Sequence, residues 1–328
     1  MTCRNLVAIS AMALFSVTSL FAQNKAAWKM PRTADGHPDL QGIWNNSTRT
    51  PLERPAEFAG KATVTDAEAT GWEHKEHQAW QDLDGTSEGP LHKTKGSEGT
   101  GAYNVLFYDM GSGLARVDGV KRTSIVIDPP DGKIPPVVPH ARERNRAAAA
   151  ARSAGNVKDR GLSERCIFVS MAGPPMLPTL YNNNYQIVQT PDAIMILSEE
   201  IHDVRIIRMN AQHASENVRQ WLGDSVGRWE GDTLVVETTN FNDQTHFRGS
   251  SRNLKVTERF TRVDANNIVY KATMEDPSTW TKPWAVELPF VAAAGPIYEY
   301  ACHEGNYAIE DILAGARKAE AEEAAHKK

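Results

Sequence analysis

The sequence predicts a mainly β fold in which an antiparallel meander closes on itself. Two observations carry that expectation. Eight segments between residues 185 and 301 are rich in β-branched and aromatic residues, and several alternate apolar with polar side chains, as Leu254, Val256 and Phe260 do against Lys255, Thr257 and Arg259. The separators are short turn signals, Thr-Pro-Asp at 190–192, Glu-Gly-Asp at 230–232 and Asp-Ala-Asn-Asn at 264–267. Connections that short suit antiparallel neighbours, and a meander of eight strands protects its edges by closing or by stacking.

The elements follow in order. Residues 1–22 begin with a lone Arg4, continue as a short apolar run and end in small residues at Ala22, the order of a secretory signal peptide. The run is short of the ~20 apolar residues of a bilayer span, and no later stretch approaches that length, so the mature chain is expected to lack a membrane span and to be periplasmic or secreted. Residues 23–165 read as an irregular and helical N-terminal part of the domain with at least one strand. Pro31, Pro38, Pro51 and Pro55 punctuate its start, around Gly42-Ile43-Trp44. A Gly-x-Trp at the opening of a β-rich domain matches the first strand of lipocalin-like barrels. Eight strands with tight turns make a calycin/lipocalin-like barrel the first expectation and a β-sandwich the alternative. A capping-type start at Thr65 predicts a helix over 63–83, residues 84–100 read as loop, 122–128 as a strand, and 140–154 as a solvated Ala/Arg helix whose basic charge hints at an anionic partner. Residues 166–309 are the expected antiparallel β core, with strands at 185–190, 193–198, 204–209, 233–239, 254–262, 267–274, 284–290 and 297–301, and 310–328 a charged C-terminal helix.

Composition narrows the classes of function. A formal net charge of −5 leaves no basic footprint for nucleic acid. No Gly-rich phosphate loop follows a strand, and neither Gly-x-Ser-x-Gly nor His-Glu-x-x-His occurs. Past the leader only Cys166 and Cys302 remain, and an oxidising compartment admits one pairing between them; two separate buried thiols are the alternative.

Five segments resemble a large family of exported bacterial proteins of acidobacterial and sphingomonad type. They are 128–132 (DPPDG), 181–191 (YNNNYQIVQTP), 219–225 (RQWLGDS), 229–236 (WEGDTLVV) and 298–307 (YEYACHEGNY). The likeness runs from about Pro31 to Arg317. It implies export and a shared fold, and it implies no chemistry.

Three histidines stand out. His202, His246 and His303 each lie at a strand end or in a short loop with a carboxylate within a few residues. Gathered at one barrel mouth, they would form either a three-imidazole site for a divalent metal ion such as zinc or a His/Glu acid–base pair. Scattered loop histidines are the plainer alternative. His74 and His77 share a helix face, where two nitrogens make a weak metal site. Tyr181 and Asn183 lie in a polar–aromatic loop that can face a substrate, Tyr181 as proton donor, or simply make a turn. Arg205 and Arg248 are candidate partners for a substrate anion. Trp280 and Trp284 flank a loop, where they either stack on a ligand ring or pack beneath it. These residues point first to an exported lyase or hydrolase acting on a small organic or carbohydrate-like substrate in the barrel mouth. The alternatives are a non-catalytic calycin-like carrier of a small apolar ligand and a structural envelope module.

Overall fold

The computed structural model describes residues 28–81, 108–245 and 247–326. The expected signal peptide at 1–22, the expected loop at 84–100 and His246 lie outside the described residues.

In chain order the strands are β1 (Gly42–Asn45), β2 (Thr63–Val64), β3 (Arg116–Val117), β4 (Val120–Arg122), β5 (Val126–Asp128), β6 (Asn184–Gln189), β7 (Ala193–Ser198), β8 (Val204–Met209), β9 (Asp224–Glu230), β10 (Thr233–Thr239), β11 (Lys255–Arg262), β12 (Asn267–Glu275) and β13 (Trp284–Ala292). The helices are α1 (Asp66–Gln81), α2 (Pro139–Ala150), α3 (Cys302–Gly305) and α4 (Ala308–His326). Strand β1 followed by β6 through β13 forms a closed barrel, sealed where Trp44 and Asn45 of β1 meet Ala292 and Val291 of β13. Strand β5 adds to β13, and β2, β4 and β3 make a small separate sheet.

Period-2 alternation turns one side chain in two into the lumen. On β12 these are Ile268, Tyr270, Ala272 and Met274; on β13 they are Trp284, Val286, Leu288 and Phe290. Rings fill the space: Tyr185 stacks on Phe290 at 5.4 Å, and Tyr270 lies 5.0 Å from Phe290 and 5.1 Å from Phe260. Burying each such ring contributes about 1.5–3 kcal/mol. One end of the barrel is sealed by Trp44. Its indole Nε1 donates to Leu40 O at 2.9 Å, and the Arg262 guanidinium lies 5.2 Å above its ring while donating to Asp39 O.

Three expectations are corrected. The barrel is mixed, because β8 and β9 run parallel with Ile207 opposite Ser225 and Met209 opposite Gly227. Residues 210–223, too long for a hairpin turn, carry the chain back to the starting end. A Cβ on Gly227 would come within 2.8 Å of Ile207 Cγ2 and Met209 Sδ, so glycine lets the two strands approach. Strand β9 itself, whose buried Asp224 and Ser225 are polar, escapes a reading based on apolar alternation. Residues 297–301 form no strand, because β1 already occupies the edge of β13.

Cys166 and Cys302 form a disulfide with Cα atoms 5.8 Å apart, tying the segment before β6 to α3. No helix among the described residues is long and apolar enough to cross a membrane.

Candidate functional site

The barrel end opposite Trp44 carries the loop after β1, the turn between β7 and β8, and the segment leading into β6. These surround a cleft of about 1500 Å³. Leu52, Ile125, Phe168, Met171 and Leu177 supply apolar surface to it, while Arg49, Tyr181 and Glu200 supply polar groups.

The turn between β7 and β8 is tight. Ser198 N donates to Asp203 O at 2.9 Å and His202 N to Glu199 O at 3.2 Å. It forces Ile201 and His202 to φ of 61° and 47°, a left-handed conformation uncommon outside glycine and costly for a β-branched residue. Such strain persists where surrounding contacts over-determine it, and here it fixes the two carboxylates at the end of β7. Glu199 is satisfied: Asn184 Nδ2 donates to it at 2.5 Å and Tyr298 N at 3.3 Å. Glu200 is not. Its side chain is 4% exposed, and its Oε2 has no hydrogen-bond partner among the described residues. Burial pushes the Glu200 carboxyl up to about 7, with the neighbouring Glu199 charge adding to the rise and a hydrogen bond from the Tyr300 hydroxyl opposing it. Burial, together with the charge of Glu200 and contact with Tyr181, raises the Tyr300 hydroxyl above the ordinary tyrosine range. Tyr181 stacks on Tyr300 with ring centroids 6.4 Å apart. Glu200, Tyr300 and Tyr181 thus form a chain from the buried turn to the cleft wall. The disulfide anchors it, since Cys302 follows Tyr300 by two residues.

His202 is exposed, with its Nδ1 3.2 Å from Tyr300 O, so its ring packs on the segment that leads to His303. His303 is an exposed residue of α3 beside the disulfide. His246 lies outside the described residues. Among the described residues no group of three or more His, Cys, Asp or Glu side chains gathers as a metal ion requires. His74 and His77 lie on α1, and the His77 ring is 3.4 Å from Arg49 Nη2.

Five expected ligand contacts are placed elsewhere. Arg205 lies inside the barrel, 5% exposed, bonded to both carboxylate oxygens of Glu258 (Nη1 to Oε1 at 3.0 Å), to Thr238 Oγ1 at 2.9 Å and to Ser225 Oγ at 2.9 Å. Its three nitrogens are all engaged inside the barrel, and the charge that was to meet a substrate anion is matched by Glu258. Asn183, 1% exposed, is a turn residue whose Oδ1 accepts from Thr179 N at 2.7 Å and whose Nδ2 donates to Asp109 O at 2.8 Å. Trp280 and Trp284 are 2% and 0% exposed and pack edge to face at 5.5 Å, because the loop between them folds over the core. Arg248 is exposed on a left-handed residue away from the cleft lining, with partial burial lowering its pKa and Glu53 opposing.

Glu200, Tyr300 and Arg49 are the groups that sequence reasoning did not single out. The signal for Glu200 was a pair of adjacent carboxylates closing an apolar strand. Nothing local marks Tyr300 or Arg49. Compared with known proteins, the chain matches no family model, no curated protein and no solved structure.

Proposed function

We propose that the protein is an exported enzyme that performs acid–base chemistry, of lyase or hydrolase type, on a small organic or carbohydrate-like substrate in the cleft at the barrel mouth. The observation that carries this reading is Glu200, a buried carboxyl lining the cleft with one oxygen that has no hydrogen-bond partner among the described residues and with the Tyr300 hydroxyl near enough to influence its titration. A carboxyl titrating near 7 holds and releases a proton with nearly equal ease at neutral pH. Protonated, Glu200 donates to a leaving oxygen as its C–O bond breaks. The resulting carboxylate then takes a proton from an adjacent C–H, as in a lyase, or from an attacking water, as in a hydrolase. Tyr300, held protonated, orients the carboxyl, and Tyr181 extends the donor chain into the cleft. His202 and His303 flank this centre. Export accords with the disulfide, which persists in oxidising compartments, and with the leader-like N-terminus.

The apolar side of the cleft favours a second reading, a carrier of a small apolar ligand. Because aromatic side chains pack the lumen, such a ligand would sit in the cleft and not inside the barrel.

Carbon-13 NMR titration of the Glu200 carboxyl, with Glu200→Gln used for assignment, tests the catalytic reading. An apparent value near 7, rising further in Tyr300→Phe as the opposing hydroxyl is lost, is the expected result. An ordinary carboxylate titration removes the proposed acid. Against a panel of aryl glycosides and β-hydroxy esters, Glu200→Gln is expected to lower turnover by about 10²–10⁴ and to abolish the limb near pH 7. Full turnover by the variant sinks the assignment.

A further inference from the structure

The same cleft holds a second unsatisfied group, of opposite charge. Arg49 follows β1 in a stretch stitched to the 111–115 segment, with Arg49 N donating to Gly113 O at 3.0 Å. Its Nε donates to Gly111 O at 3.2 Å, and its Nη2 lies 3.4 Å from His77 Nδ1. Its Nη1 is buried and has no hydrogen-bond partner among the described residues. Two of the three guanidinium nitrogens are therefore tethered and the third is left over, in a side chain that lines the cleft. A buried guanidinium nitrogen without an acceptor is expensive, and an acceptor restores the loss.

The charge around it reinforces the point. Arg152, Lys158 and Arg165 line the cleft and form no ion pair among the described residues. The other charges there are mostly engaged. Arg160 pairs with Glu164 at 2.8 Å, Glu57 with Lys75 at 3.3 Å, and Asp159 accepts from Asn156 Nδ2 at 2.9 Å. Besides Glu200, Glu76 and Asp159, the latter hydrogen-bonded by neutral groups, are the cleft carboxylates without an ion pair among the described residues, against the four cations Arg49, Arg152, Lys158 and Arg165. Against this polar wall lies apolar surface from Leu52, Ile125, Phe168 and Leu177.

Building on the reading of this cleft as a substrate site, we infer that its ligand is an amphiphilic small molecule with an oxyanion head, of carboxylate or phosphate class, on an apolar body. The head accepts from Arg49 Nη1 in the field of Arg152, Lys158 and Arg165. The body lies on the apolar surface, and a polar group beyond it reaches Glu200. A single free guanidinium nitrogen offers one contact and not a two-pronged clamp, which suits a monoanionic head.

Two fluorescent probes test this on the purified protein: anilinonaphthalene sulfonate and the parent anilinonaphthalene without the sulfonate. They share the apolar body and differ by the anion. The sulfonate is expected to bind saturably at one site and about tenfold or more tighter than the neutral parent. Arg49→Gln is expected to lower sulfonate affinity about tenfold with the parent unchanged, and Arg49→Lys to recover part of the loss. Arg165→Gln, in a half-buried residue of the opposite wall, should weaken the sulfonate in the same direction by less. Lys318→Gln on α4 should leave it unaltered. Displacement by decanoate against dodecyl phosphate distinguishes the carboxylate from the phosphate head. Equal affinity for the two probes overturns the inference. So does a loss in Arg49→Gln and Arg165→Gln that falls equally on both probes. The two proposals fail separately: the sulfonate preference can vanish while Glu200 still titrates near 7, and Glu200 can titrate normally while the preference persists in Glu200→Gln.

Discussion

Two polar groups, one buried in the barrel lumen and one half-buried at its mouth, use similar chemical parts and end in opposite states. In the lumen, Arg205, Glu258, Tyr270, Ser225 and Thr238 leave no side-chain nitrogen or oxygen without a partner. Each guanidinium nitrogen donates, both Glu258 oxygens accept, and the Tyr270 hydroxyl donates to Glu258 at 2.9 Å while accepting from Met176 N at 2.8 Å. At the mouth, a carboxylate, two tyrosines and an arginine leave Glu200 Oε2 and Arg49 Nη1 without partners among the described residues. A closed network specifies a fold, whereas an open one of similar composition keeps bonding capacity for something that arrives later.

That contrast can be broken at its strong end first. Glu258→Gln leaves the Arg205 charge buried without its counterion and should destabilise the protein by about 3–5 kcal/mol in urea unfolding. A loss below about 1 kcal/mol would mean that the lumen pair is not the desolvated one seen here.

Next comes the link between the mouth and the rest of the chain. The disulfide closes a loop with a sequence separation of 136 residues, and Cys166→Ser with Cys302→Ser should lower stability by about 2–5 kcal/mol, read as the difference in unfolding midpoint. Because it anchors the Tyr300 segment, the same pair of changes should also lower the Glu200 pKa as water enters, whereas Glu258→Gln should not.

The weak end of the comparison reverses the usual sign. Glu200 and Asp203 titrate near 7 and near 6 in the fold, above their ordinary 4.5 and 3.8, chiefly because burial disfavours the charged form. The folded state therefore holds these protons more tightly than the unfolded chain. Their penalty is absent at low pH, grows as pH rises from about 4 to 7, and is complete above that. Glu200→Gln should gain on the order of 1 kcal/mol at pH 8, gain little at pH 4, and flatten the decline between. A variant less stable than the parent at pH 8 would place Glu200 among the structural groups, alongside Glu258. The smallest effect belongs to the rim: Asp232→Asn, which breaks an ion pair with Arg32 between half-exposed side chains, should change stability by less than about 1 kcal/mol.

The strands were legible because alternation in 254–262 or 267–275 is a local pattern that burial on one face imposes directly. Strand β9 was not, because a barrel face that buries Asp224 and Ser225 has no apolar signature. The site was legible only by neighbourhood. His202 drew attention to the turn after β7, yet the residue that acts as the candidate acid stands two positions before it, and its tyrosine partner is 100 residues away. Arg205 misled for a physical reason: a strand residue between apolar neighbours reads the same whether its inward side faces a ligand or a buried glutamate.

The amino-acid sequence by itself determined the mainly β class, most strand positions and the candidate pairing of Cys166 with Cys302. Each follows from short-range composition or periodicity. Tertiary structure alone decided that the barrel contains a parallel pair, that Arg205 and the paired tryptophans are internal, and that Glu200 and Arg49 share a cleft with atoms left unbonded. Those outcomes depend on which distant groups meet as the sheet closes, and whether a buried polar atom finds a partner is settled only by that meeting.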